Sequence, residues 1–221
     1  LVLPAPLRYS EDLDLVQYEP GPVGKLVDGV RESLDRWLGE PTRKLGPDGT
    51  TLIYRFETSS LPRRTMRVKI EINTREHGSL MPLLRQPYCV DSEWYRAHTT
   101  IAVYSPAELL ATKLRALFQR NKGRDLFDLA MALERLPIDP PDVVRGFLHY
   151  TAALESRITR ARFEANLAAK STDPSFRRDL TALLPPGVHY EFDEALSRVR
   201  EALVCRIPGA PWRGHPSAGS E

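Results

Sequence analysis

The stretch RYSEDLDLV, residues 8–16, alternates apolar and acidic side chains over its second half. Leu13 and Leu15 point to one face of an extended chain, whereas Asp12 and Asp14 point to the other. The pattern therefore predicts a β-strand over residues 11–16 with two neighbouring carboxylates. Such carboxylates resist joint ionisation unless a cation neutralises them, and a divalent cation with oxygen ligands would do so. An ordinary exposed strand face is the simpler alternative.

Further strands and one helix are predicted to surround this stretch. The helix spans residues 23–38, and the strands span residues 51–58, 65–73 and 100–104. On the strand over 65–73, Glu71 lies on the polar face and would join Asp12 and Asp14 if the two strands are neighbours. Three converging acids are typical of a metal site for phosphoryl transfer. Alternatively, Glu71 is a partner of Lys69, Arg67 or another basic residue.

The character of the sequence changes at Ser105, where Ser-Pro-Ala-Glu forms a capping box with proline at the first helical position. Helices are predicted over residues 106–119, 124–136, 142–153, 155–169, 175–184 and 192–204. We therefore expect an α+β protein with an α/β unit over 1–104 and a helical domain over 105–205. Residues 206–221 are rich in Gly, Pro and Ser, which predicts a flexible tail.

Polar side chains on two of the predicted helices are candidates for chemistry. Lys113 lies beside the leucines of an apolar stripe, where a lysine is costly unless it has a partner. It either reaches triphosphate oxygens or extends to solvent from the edge of the core. Asp125 and Asp128 share a helix face, and Arg124 can pair with Asp128. Asp125 also suits the first turn of a helix because it complements the helix dipole.

Composition excludes several classes of protein. The 221 residues carry 31 basic and 29 acidic side chains, so the chain as a whole is not a strongly basic nucleic-acid binder. Basic stretches over 113–124 and 157–170 could still follow a phosphate backbone.

The two cysteines have no zinc-site spacing and indicate a reducing compartment. Since no apolar run approaches the roughly 18 residues of a membrane span, we expect a cytoplasmic protein without membrane contact.

Four short motifs occur in a fixed order along the chain. They are R-x-S-E-D-L-D-L from Arg8 to Leu15, V-K-I-E-I over 68–72, E-L-L-A-x-K-L-x-A-L over 108–117, and K-G-R-D-L-F-D-L over 122–129. Together they resemble the AbiEii/AbiGii-type nucleotidyltransferase-like toxins of the bacterial abortive-infection and mycobacterial MenT kind. The resemblance implies a polymerase-β-like nucleotidyltransferase core, a small mixed sheet with helices, followed by a C-terminal helical bundle.

The resemblance also implies a function. Members of this family, in type IV toxin–antitoxin systems, are toxins paired with an antitoxin from the neighbouring gene. Some are similar to enzymes that add nucleotides from an NTP, with Mg²⁺, to the 3′ end of tRNA, which blocks translation. The residues that match metal-binding positions are Asp12, Asp14 and Glu71. The residues that match nucleotide-binding positions are Arg8, Ser10, Lys113 and Arg124.

The later catalytic acid of the family matches either Asp125 or Asp128, and the sequence leaves both open. Ser10 matches a position that certain antitoxin kinases phosphorylate in relatives. A phosphate there would add negative charge beside Asp12 and Asp14 and could repel the NTP or disturb metal binding.

One feature of the family pattern is missing from the sequence. The family usually has a Gly-Gly-[Thr/Ser] turn about ten residues before the paired acids, whereas the segment LVLPAPL, residues 1–7, contains no glycine. The alternative expectation is therefore a catalytically degenerate module that binds RNA or an antitoxin without chemistry.

Overall fold

The chain forms two compact units in a computed structural model, which describes residues 7–10, 12–93, 95–152 and 157–214. One unit is Ser10–Ser79, and the other combines Leu1–Tyr9 with Leu80–Glu221. This division lies elsewhere than the predicted boundary at 104/105. The segment after Ser79 is joined to the helices by Glu108, whose carboxylate accepts the N–H groups of Leu80 and Met81.

The unit Ser10–Ser79 is a small mixed sheet with one helix. Its elements are β1 (Asp12–Val16), α1 (Gly24–Leu38), β2 (Thr42–Leu45), β3 (Gly49–Glu57) and β4 (Thr65–Asn73). The strand order is β1-β4-β3-β2, with β1 parallel to β4 and the other pairs antiparallel. The predicted mixed sheet is confirmed, and β2 is an additional edge strand that no predicted strand covers.

One face of this sheet packs against α1. The side chains that α1 covers alternate along β3 and β4, so the residues between them lie on the opposite face. The buried cluster comprises Val27, Leu52, Tyr54, Ile70 and Ile72. The hydroxyl of Tyr54 also donates a 2.8 Å hydrogen bond to Asp35 on α1. The face opposite α1 consequently carries mainly polar side chains, which include the predicted acids.

The second unit begins with a two-stranded antiparallel hairpin and continues as helices. Its elements are β5 (Leu84–Asp91), β6 (Arg96–Val103), α2 (Pro106–Gln119), α3 (Gly123–Arg135), α4 (Pro140–Thr151), α5 (Arg160–Ser171), α6 (Pro174–Arg178), α7 (Phe192–Ala202) and a 3₁₀ turn (Val204–Arg206). The predicted strand over 100–104 is the end of the longer strand β6, and β5 has no predicted counterpart.

Two predicted helices differ from the observed ones. The helix expected over 155–169 begins at Arg160, because the Thr159 side chain accepts the N–H of Arg162 and caps the first turn. The helix expected over 175–184 ends at Arg178 and continues as turns. Residue 11 at the start of the first predicted strand, and residues 153–156 at the ends of two predicted helices, lie outside the described residues.

The start of the predicted flexible tail is packed against the helices. Ile207 is 2% exposed, and the N–H of Trp212 donates a 2.7 Å hydrogen bond to Glu164 on α5. Residues 215–221 lie outside the described residues. Among the helices that the structure describes, none is both long enough and apolar enough to cross a membrane.

Candidate active site

The register of β1 against β4 brings the predicted acids onto one face of the sheet. Asp12 is the register partner of Lys69, and Asp14 is the partner of Glu71. Register partners on neighbouring strands project to the same face, so all four side chains lie opposite α1. The strands β1 and β4 are therefore neighbours, which was the condition for Glu71 to lie beside Asp12 and Asp14. We call Asp12, Asp14 and Glu71 the sheet carboxylates.

Lys69 lies between two of the sheet carboxylates. Its Nζ atom is 3.1 Å from Asp12 Oδ2 and 3.1 Å from Glu71 Oε2. Burial alone would lower the pKa of Lys69, but the hydrogen bonds and charges of the two carboxylates raise it above its ordinary value. The sequence indicated Lys69 as a possible partner of Glu71. Its pairing with Asp12 depends on the register between two strands that are distant in sequence.

The sheet carboxylates do not converge on one common centre. Within the described ranges, no group of three or more His, Cys, Asp or Glu side chains is arranged to hold a metal ion. Lys69 lies between two of them instead, and its ammonium group pairs with Glu71 and with one oxygen of Asp12. The other oxygen, Asp12 Oδ1, is buried and has no hydrogen-bond partner in the described part of the chain.

A buried carboxylate oxygen without a partner is costly, and a hard divalent cation is the kind of ligand that would satisfy it. The donor set of Asp12 and Asp14 therefore fits such a cation. Ser10 lies directly before this pair, is exposed, and donates a 3.2 Å hydrogen bond to the backbone carbonyl of Asp12. Its hydroxyl is consequently accessible from solvent.

A second cluster joins α2, α3 and the segment before β1. Lys113 Nζ lies 3.4 Å from Asp125 Oδ1 and 3.1 Å from Asp128 Oδ2. Lys113 therefore has the partners that its position beside the apolar stripe requires. We call this cluster the helix network, and its members are Arg8, Lys113, Arg120, Asp125 and Asp128.

Each aspartate of the helix network is also bound by an arginine. Arg120 donates hydrogen bonds of 2.7 and 2.8 Å to the two oxygens of Asp125. Arg8 donates two hydrogen bonds of 2.7 Å to the two oxygens of Asp128. Two-point contacts of this kind fix both the guanidinium and the carboxylate in orientation. Arg8 was predicted as a nucleotide-binding residue, and in the structure its guanidinium binds Asp128.

The two aspartates differ in access to solvent. The side chain of Asp125 is 0% exposed, and Arg120 and Lys113 occupy both of its oxygens, whereas the side chain of Asp128 is 23% exposed. Burial alone would raise the pKa of Asp128, but the hydrogen bonds from Arg8 and the charge of Lys113 lower it below its ordinary value. Asp128 is therefore an ionised and partly accessible acceptor.

The glycine of the K-G-R-D motif allows α3 to begin in close contact with α6. A Cβ atom on Gly123 would lie 2.1 Å from the carbonyl oxygen of Phe176. Asp179 then accepts a 3.3 Å hydrogen bond from the N–H of Arg124 and pairs with Lys122 at 3.3 Å. These contacts fix the first turn of α3, on which Asp125 and Asp128 depend for their position.

Two features of these clusters could not be predicted from sequence patterns. Arg120 follows the end of α2, and its contact with Asp125 spans the break between two helices, for which no periodic signal exists. Lys69 as a partner of Asp12 was missed because the register of β1 on β4 is set by tertiary pairing. An acid on β1 opposite a basic residue on β4 would have been the available signal.

Comparisons with known proteins agree with this architecture. The family model described as "Nucleotidyl transferase AbiEii toxin, Type IV TA system" matches residues 1–198, which include both clusters. The chain is also similar in fold to MenT4, a nucleotidyltransferase toxin from Mycobacterium tuberculosis H37Rv. That similarity has a TM-score of 0.61 at 20% sequence identity and covers 91% of this chain and 70% of MenT4.

A comparison with curated protein sequences gives no match. The family match nevertheless extends over most of the chain, and the mixed sheet and helices are those of the same fold. The chain therefore belongs to the AbiEii nucleotidyl transferase toxin family of type IV toxin–antitoxin systems.

Proposed function

We propose that the chain transfers nucleotides from an NTP to the 3′ end of tRNA and thereby blocks translation. The observation that carries this proposal is the buried Oδ1 atom of Asp12. That oxygen has no hydrogen-bond partner among the described residues, and Asp14 lies on the same face of the sheet. Asp12 and Asp14 would hold Mg²⁺, which when bound stabilises charge on the transferring phosphoryl group. Glu71 would contribute only if Lys69 released it.

The helix network supplies the other roles in this proposal. Lys113 has three N–H donors, and within the described part of the chain two carboxylates face them, so one donor remains for a triphosphate oxygen. Asp128 would accept a hydrogen bond from the attacking 3′-hydroxyl and orient it. Its lowered pKa makes it a weak base and favours orientation over proton abstraction. Arg8 would position Asp128, and Asp125 would position Lys113.

Regulation of the toxin would act at Ser10 and through a partner. Type IV systems pair a toxin with an antitoxin, and we propose that this chain has a cognate antitoxin in the cytoplasm. Because Ser10 is exposed and next to the carboxylate pair, a phosphate on its hydroxyl would place negative charge beside Asp12. Phosphorylation would therefore weaken binding of both the metal ion and the NTP.

The test is incubation of the protein with Mg²⁺, each labelled NTP and total tRNA. Asp12→Ala, Asp14→Ala and Lys113→Ala should each abolish labelling, and Asp128→Asn should reduce it strongly. Asp91→Asn, on an exposed ion pair of the β5–β6 hairpin, is the control and should label like the wild type. Equal labelling by wild type and Asp12→Ala would contradict the metal role.

A second candidate function is binding of RNA or an antitoxin without chemistry. The observation that favours it is Lys69, which occupies the place where a cation would neutralise Asp12 and Glu71. Calorimetric titration with Mg²⁺ distinguishes the two candidates. Binding that Asp12→Ala removes supports the enzyme, whereas no binding with or without NTP supports the module without chemistry.

A further inference from the structure

We infer that Arg55 and Arg67 form a binding site for the phosphate backbone of the RNA substrate. The two residues are direct register partners on the antiparallel strands β3 and β4. Both are exposed. This inference rests on the proposed function, because it assigns a surface to the RNA that would receive the nucleotide.

The arrangement of the two arginines is unfavourable without an anion. Direct cross-strand partners hold their side chains close together on one face, and like charges in that position repel each other. Neither arginine side chain makes an ion pair or hydrogen bond with the residues that the structure describes. An anionic ligand would convert this repulsion into a two-residue anion site.

The arginine pair lies on the same sheet face as the sheet carboxylates. Lys69 and Glu71 follow Arg67 at every second position of β4, so all three project to one side. Arg67 and Glu71 are separated along the strand by roughly 13 Å, at about 3.3 Å per residue. One polynucleotide strand could therefore contact the arginines while its end lies at the carboxylates.

The chemistry of this face favours phosphates over bases. Bases are usually bound by stacking on aromatic side chains, and phosphates by arginine and lysine. The positions of β3 and β4 that share the face with the arginine pair carry no aromatic residue. Those with side chains are Thr51, Ile53, Glu57, Thr65, Lys69, Glu71 and Asn73. We therefore expect contact with the backbone and little preference for sequence.

The experiment measures binding of labelled single-stranded RNA by fluorescence anisotropy over a series of salt concentrations. Neither Mg²⁺ nor NTP is added, so a failure of nucleotide transfer does not affect the result. The double variant Arg55→Gln/Arg67→Gln should bind several-fold more weakly at low salt. The slope of log affinity against log salt should become shallower by about 1 for each phosphate that an arginine no longer binds.

The matched control is Lys25→Gln/Arg36→Gln, which removes the same charge from exposed positions on α1, on the other side of the sheet. It should leave the slope unchanged. Thermal unfolding provides a second readout, because relief of the arginine repulsion should keep the midpoint of the double variant equal to or above that of the wild type.

Three outcomes would overturn the inference. The first is equal weakening by the double variant and the control. The second is weaker binding of a fluorescent NTP with RNA binding intact, which would assign the arginines to the triphosphate. The third is weaker binding of polyglutamate with RNA binding intact, which would assign them to an acidic protein. Inactive protein with the expected binding pattern would instead contradict only the proposed transfer reaction.

Discussion

Arg8 binds both oxygens of Asp128 at 2.7 Å, although 120 residues separate the two in sequence. The backbone N–H of Tyr9 adds a 2.9 Å hydrogen bond to the carbonyl of Leu183. The first two residues of the R-x-S-E-D motif are thereby bound to the unit that contains the helices. Arg8, the first residue of the first motif, thus contacts the last of the four motifs within one compact unit.

Arg8→Ala should lower the free energy of unfolding by about 1–3 kcal/mol, since hydrogen bonds to charged groups contribute about 1.5–3 kcal/mol each and this pair is partly exposed. The pKa of Asp128 in the folded protein lies below the ordinary value of 3.8. The ion pair therefore contributes fully to stability above pH 3.8, and this contribution is lost as the pH falls through the lowered pKa.

Urea unfolding of the wild type and Arg8→Ala at neutral and acidic pH measures the contribution of the ion pair. Arg8→Lys, the control, should restore only part of the stability, and a pH-independent difference would contradict the ion pair.

Substitutions of Asp125 and Asp128 should differ in their effects, with the larger loss of stability at Asp125 and the larger loss of activity at Asp128. Asp125→Asn removes the charge from a fully buried carboxylate that Arg120 and Lys113 bind, and it should cost about 3 kcal/mol of unfolding free energy. Asp128→Asn should cost less because its side chain is partly exposed, yet it should reduce nucleotide transfer more per folded molecule. Denaturant unfolding and labelling of the folded fraction measure both. The reverse pattern would make Asp125 the later catalytic acid.

Much of this fold could be predicted because its elements have strong local signals. The alternating residues of β4 indicate a strand, and the capping box at Ser105 indicates the start of α2, and both are found at those positions. β2 could not be predicted because it is a short, exposed edge strand without alternation. β5 contains Pro87 and exposed side chains along most of its length, which local patterns do not distinguish from a loop.

In the candidate site, likewise, local motifs indicate the residues, whereas contacts between distant segments could not be predicted. The motifs assign Lys113, Asp125 and Asp128 to one candidate site. In the structure Lys113 contacts both aspartates, a pairing that the sequence did not predict. Residue types and spacing could not predict that Arg8 binds Asp128 or that Lys69 binds Asp12. Those contacts depend on how distant segments pair, and they change the expected roles of the residues involved.

Glu108→Gln should destabilise the second unit by about 2–4 kcal/mol. The carboxylate is fully buried and accepts hydrogen bonds from the N–H groups of Leu80 and Met81, at 2.6 and 3.1 Å, and from the hydroxyl of Tyr150. An amide has a nitrogen where one of these donors needs an acceptor, which leaves a buried donor unsatisfied. Thermal unfolding is the measurement. Glu134→Gln, on an exposed ion pair, is the control and should change stability by less than about 0.5 kcal/mol; equal effects would contradict the role of Glu108.

Lys170 should make stability depend on pH in the alkaline range. Its ammonium donates to the carbonyls of Leu117 and Phe118 at the end of α2, and burial lowers its pKa from 10.5 to about 8. Between these two values the unfolded chain binds more protons than the folded protein, so the Lys170 contribution to stability rises with pH. Urea unfolding gives the free energy of unfolding of the wild type and of Lys170→Met. The value for the wild type should rise relative to that of the variant between pH 8 and pH 10.5. A constant difference would mean that the lysine titrates alike in both states.

Gly123→Ala should destabilise the protein, although alanine is the better helix former by about 1 kcal/mol. The new Cβ atom would lie 2.1 Å from the carbonyl oxygen of Phe176 and 3.2 Å from its carbonyl carbon, and backbone atoms cannot move aside cheaply. We expect a loss of about 1–3 kcal/mol, as for other overpacked sites. The matched control is Gly29→Ala in α1, where a Cβ atom meets nothing within 4 Å, and it should stabilise the protein by about 0.5–1 kcal/mol. If both substitutions stabilise the protein, the close approach of α3 to α6 is not required by the fold.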